Sequence, residues 1–216
     1  MATSSGLFVK LILGLVVVGA LGYFFVQSVK NTRSEPYGVP RGRLQNWTLA
    51  FEKPVAPADP MLSLRAPADL GAGLFRQIFE RHAESLNSPA APAMPLVMQD
   101  EYVRAFAGHA SPDALFAAAK AAGLASITLQ PRCLAYRRIS APGVTRQLYF
   151  LLFDTPQFTR FRRDIAKLAV SAGAGDVFDP DALSPVVVIA ASDTNYSQWF
   201  PLQAGDRDCV APIAVD

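Results

Sequence analysis

The sequence predicts an α+β protein: an N-terminal single transmembrane helix, then one helix-on-sheet domain with a mostly antiparallel sheet. Three observations carry that expectation. The 16 residues from Leu11 to Val26 hold no charge. Downstream, apolar residues recur with the two-residue period of strands in some segments and the three-to-four-residue period of helices in others. Two strand-like runs are joined by a Pro-Gly turn. The chain of 216 residues exceeds the roughly 150 of one typical domain without reaching two, and a hydrophobic content of 51% suffices for a sizeable core.

The apolar stretch extends from Leu7 to Val29 once Lys10 is accepted as a snorkelling flank, giving ~34 Å of helix at ~1.5 Å per residue against a hydrocarbon core of ~30 Å. Tyr23-Phe24-Phe25 near its end suit a membrane interface. A cleaved signal peptide fits less well, because the run is longer than the usual ~7–15 residues and no Ala-x-Ala site follows. Residues 1–30 are thus expected to form the anchor, 31–43 a tether marked by Pro36, Gly38 and Pro40, and 44–216 the folded domain. Two signals conflict over orientation. Lys30, Arg33, Arg41 and Arg43 downstream of the span favour the cytoplasm by the positive-inside rule. The only two cysteines, Cys133 and Cys209, suit one disulfide of an oxidising compartment. With a six-residue head before Lys10, like that of a signal anchor, the expectation is an extracytoplasmic domain, periplasmic if the source is bacterial.

Within the domain, Trp47, Leu49 and Phe51 share one face of a strand over 45–52, and Pro54, Pro57 and Pro60 form a loop before a second strand at 61–65. Leu70, Leu74, Phe75, Ile78, Phe79, His82 and Leu86 make the apolar stripe of a helix over 70–86. A third strand is expected at 96–98 and a short helix at 100–107. Ser111-Pro112-Asp113 combines a cap, a first-turn proline and an acidic residue at the positive end of the next helix, which ends at Gly123. The runs 126–139 and 146–154 form a hairpin through Pro142-Gly143. Thr155-Pro156 opens a helix with Phe158, Phe161, Ile165 and Leu168 inward and Arg160, Arg162, Arg163 and Lys167 outward. Residues 185–190 read as a central strand and 209–213 as a last one. This order suits a ferredoxin-like split βαβ topology.

Chemistry is sparse. The formal net charge is +2, and Lys10, Lys30 and Arg33 carry the excess, so no basic field for nucleic acid exists. With two His and two Cys, neither His-Glu-x-x-His nor Cys-x-x-Cys occurs, nor does a Gly-x-Ser-x-Gly elbow or a phosphate-binding glycine loop. No metal, cofactor or catalytic residue is therefore assigned. Asp176, Asp179 and Asp181 lack calcium-loop spacing, and Asp179 reads as a cap before Pro180. Arg137 and Arg138 with Arg160, Arg162 and Arg163 are considered as an anion patch. Asn46-Trp47-Thr48 and Asn195-Tyr196-Ser197 match the glycosylation pattern. The candidates for ligand contact are His109, just before a helix N-terminus, and Asp193, Asn195 and Trp199, in the loop beyond the central strand. The leading expectation is a bilayer-anchored domain that binds a protein partner, as an accessory or assembly subunit of an envelope complex. The alternatives are a ligand-binding or sensory domain and, third, an enzyme without a recognisable motif.

Overall fold

The computed structural model describes residues 14–24, 35–175 and 177–216, and the chain divides into two units, 1–35 and 36–216. In the first unit, residues 14–24 are helical and exposed. No helix among the described residues is long and apolar enough to cross a membrane. The rest of the expected span, residues 7–13 and 25–29, lies outside the described residues, as does Asp176.

The second unit is α+β and its two larger sheets are antiparallel throughout. Strands β2 (Thr48–Phe51) and β3 (Pro60–Arg65) form the expected hairpin, and β4 (Ala93–Met98) pairs with the far edge of β3. Between β3 and β4 runs helix α1 (Ala68–His82), which buries Leu70, Leu74 and Ile78 as its stripe requires. Helices α2 (Gln99–Ala105) and α3 (Pro112–Ala121) follow, and the Ser111 hydroxyl caps α3 by accepting the Ala114 amide at 3.2 Å. The long hairpin of β5 (Gln130–Ala141) and β6 (Val144–Asp154) turns at Gly143, whose φ of 79° is the left-handed conformation the second turn position demands. Helix α4 (Pro156–Ser171) returns to β7 (Val186–Ala191), and β8 (Cys209–Ala211) closes the second sheet in the order β7-β6-β5-β8.

Along β6 the side chains alternate between two cores. Tyr149, Leu151 and Phe153 join the main core with Phe158, Phe161 and Ile165 of α4. Leu148, Phe150 and Leu152 face a smaller core with Trp199 and Leu202, so residues 196–209 cover the opposite side of this sheet. Cys133 and Cys209 are bonded within that cover, with Cα atoms 5.7 Å apart, as the lone pair led us to expect.

Five expectations are corrected. Residues 37–39 are not tether but strand β1 (Tyr37–Val39), which pairs in parallel with β9 (Ile213–Val215); this is the only parallel pair among the described strands. The split βαβ arrangement needs a parallel centre, and neither larger sheet has one. Helix α1 stops at His82, because Ala83 turns left-handed at φ 51° and its amide closes on the Phe79 carbonyl. Arg162 points inward, where Glu101 receives it. Asp179 starts no helix: its carboxylate accepts the Asp181 amide at 2.9 Å in a turn.

Candidate functional site

Of the residues singled out for ligand contact, two are brought together. Asp193, just past β7, takes an ion pair from Arg146 at 3.2 Å and the Gln198 amide at 2.8 Å. Trp199 ends the single turn Tyr196–Trp199, is buried beneath Arg146, whose guanidinium lies 5.3 Å from the ring centre, and packs in the smaller core. Its Nε1 is buried without a hydrogen-bond partner among the described residues. Asn195 is exposed at the start of that turn. His109 stands apart. Its Nδ1 lies 2.9 Å from the Ala172 carbonyl just beyond α4, on the helix-covered side, and no described hydrogen bond or ion pair joins it to residues 193–200.

A cleft that the sequence did not point to opens between the proline-rich loop after β2 and helix α2. Its outer part, about 360 Å³, is lined by Val55, Pro57, Val103 and Arg104. An adjoining hollow of about 150 Å³ shares Pro57, Asp100 and Arg104 with it and is lined further by Met98, Ala182, Phe200 and Pro201. Loop and helix are pinned together. The Asp59 carboxylate accepts the Val55 and Ala56 amides, each at 2.8 Å, and the Ser197 hydroxyl. The Gln99 and Asp100 amides donate to the Asp59 and Pro57 carbonyls, each at 2.9 Å. The Ser197 hydroxyl, then the two amides, hold the Asp59 carboxyl below its ordinary range despite partial burial. Two apolar side chains stand open on this rigid frame, Val55 at 96% and Val103 at 56% exposure. The Asp100–Arg104 pair, 2.8 Å, supplies a polar rim.

A polar and aromatic seam joins β1, the end of α1 and the second sheet. The Tyr37 hydroxyl lies 3.1 Å from His82 Nε2, and Tyr149 donates to Glu84 at 3.2 Å. The Tyr149 ring sits 5.3 Å from His82 and 4.8 Å from Tyr136. Arg81 covers the Tyr37 ring at 3.9 Å and donates to the Pro36 carbonyl at 2.9 Å. Burial pushes all three phenols upward, Tyr149 furthest because the Glu84 carboxylate adds to it. They stay protonated at neutral pH; Tyr149 donates to Glu84, and the Tyr37 hydroxyl meets His82 Nε2 from β1. His82 at the helix border was legible in the sequence; its tyrosine partners come from distant strands, and no local pattern signals them.

The arginine patch considered from the sequence does not form. Arg137 is held by Asp208 at 2.9 Å, and Arg162 is buried on Glu101 at 2.7 Å with further donation to the Leu96, Asp179 and Pro180 carbonyls. Arg160 and Arg163 stay on the outer face of α4 beside Lys167. Among the described residues no group of three or more His, Cys, Asp or Glu is placed to hold a metal ion. No protein-family model, curated protein or solved structure matches the chain.

Proposed function

We propose that the chain is a single-pass membrane protein whose α+β unit lies outside the cytoplasm and docks a protein partner, as an accessory or assembly subunit of an envelope complex. The observation that carries the reading is the cleft between the loop after β2 and α2. Its frame is fixed by hydrogen bonds, yet it leaves Val55 and Val103 open to solvent beside a charged rim. Apolar side chains on a rigid, polar-rimmed depression have the anatomy of a docking surface, since binding there orders little that is not already ordered. The apolar segment from Leu7 to Val29 supports the anchor, and the Cys133–Cys209 bond supports an oxidising compartment.

The test is purification of the tagged full chain in mild detergent. The expected outcome is one stoichiometric protein partner in wild type that is lost in Val103→Glu. That exposed substitution should change stability by no more than ~0.5 kcal/mol, checked by thermal melting. A strictly monomeric chain with no stoichiometric partner overturns the proposal.

A further inference from the structure

The β5–β6 hairpin outgrows its sheet. On one side β8 pairs only with Leu134 and Ala135, and on the other the ladder to β7 ends at Leu148 with Ser192 still hydrogen-bonded to Gln147, so residues 138–146 project as a two-stranded arm. Beyond its base every residue from 138 to 145 is exposed. Ile139, at 46%, and Val144, at 53%, share one face with Ala141, because Ile139 pairs with Arg146 and Ala141 with Val144. From Tyr136 to Leu148 there are three arginines and no acidic residue. Arg137 and Arg146 are neutralised at the base by Asp208 and Asp193, whereas Arg138 makes no ion pair among the described residues. An apolar tip with one cation outside any described ion pair, Arg138 on the arm's other face, is chemistry that suits an anionic headgroup surface.

The strand directions say which end of the unit the arm occupies. β8 is antiparallel to β5 and therefore runs away from the tip; β9 follows it across Pro212 and also lies against β5; β1 is parallel to β9. The start of β1 is thus its tip-facing end, and the Tyr37–His82–Tyr149–Tyr136 seam places it at the base of the arm. From Tyr136 the arm reaches ~20 Å at ~3.3 Å per residue. The seven residues from Lys30 to Pro36 span at most ~23–25 Å. That upper limit is of the same order as the ~20 Å from Tyr136 to the tip.

We propose that the arm tip, Ile139, Ala141, Pro142 and Val144 with Arg138 behind them, is a lipid-contacting surface that enters the headgroup region of an anionic bilayer. This rests on the anchor reading above. The experiment uses the full chain with Val144→Trp, reconstituted into vesicles of equal phosphatidylcholine and phosphatidylglycerol with or without brominated acyl chains. Gln130→Trp, exposed at the opposite end of β5, is the reference, and native Trp47 and Trp199 are buried. An indole held ~5–10 Å into the headgroup boundary is expected to be quenched severalfold more at 144 than at 130, with Ile139→Trp repeating the result. Equal quenching at both ends in protein that floats with the vesicles overturns the arm's role alone. Protein that fails to float overturns the anchor reading and this proposal with it.

Discussion

Arg162 is the residue whose environment departs furthest from its sequence position. It lies one place after the buried Phe161 on α4, and helical spacing puts it at the edge of the core stripe among three other cations. What draws it inward is the supply of acceptors: Glu101 from α2 and the carbonyls of Leu96, Asp179 and Pro180 occupy its donors, with Phe178 4.6 Å beneath the guanidinium. Those acceptors lie in three separate segments, so no local pattern reveals the site. A buried charge with its partner removed is costly. Glu101→Gln should lower unfolding free energy by ~3–5 kcal/mol, and the double change to Met at 101 and 162 by clearly less. Denaturant midpoints of the two variants check the order; equal losses would mean that packing, not the charge, holds the three segments together.

At the level of elements, most of the structure was legible, and the misses share a cause. The helices with a cap and a first-turn proline, α3 and α4, start where Ser111-Pro112 and Thr155-Pro156 place them, and the β5–β6 turn falls at its Pro-Gly pair. Strand β1 was not legible, because three residues between two prolines carry no periodicity and its pairing is supplied by the far end of the chain. The cleft escapes the sequence for a related reason: three prolines mark its loop only as a loop, while the Asp59 and Ser197 contact that stiffens it crosses 138 residues. The end of α1 carries a testable consequence. Ala83 sits in the left-handed region with its amide closed on Phe79, a conformation that costs an L-residue ~1–2 kcal/mol and glycine almost nothing. Ala83→Gly should therefore stabilise the unit by ~1 kcal/mol, raising Tm by ~2–4 °C in a thermal melt; a fall would show that the Ala83 side chain contributes more than its backbone strain costs.

For the whole molecule, class and disulfide followed from composition and a count of two cysteines, whereas sheet order did not, since β5 pairs with β8 across about a third of the chain and β1 with β9 across most of it. The Cys133–Cys209 bond closes a separation of 76 residues. In the chain-entropy account it contributes ~4.5 kcal/mol, so alkylation of denatured, unreduced protein should find no free thiol, and Cys133→Ser with Cys209→Ser should lose stability of that order in a denaturant titration. A full thiol titre without reduction would remove the disulfide argument for an oxidising compartment. The parallel pairing of Tyr37 with Ile213 sets an order on biosynthesis. The ribosome makes β1 first among the strands, yet its partner is translated 176 residues later, a wait of ~9–35 s at ~5–20 residues per second. Cys209 emerges only a few residues before β9, so the strand and the covalent bond arrive nearly together, and until then the nascent chain carries a β1 edge without its partner.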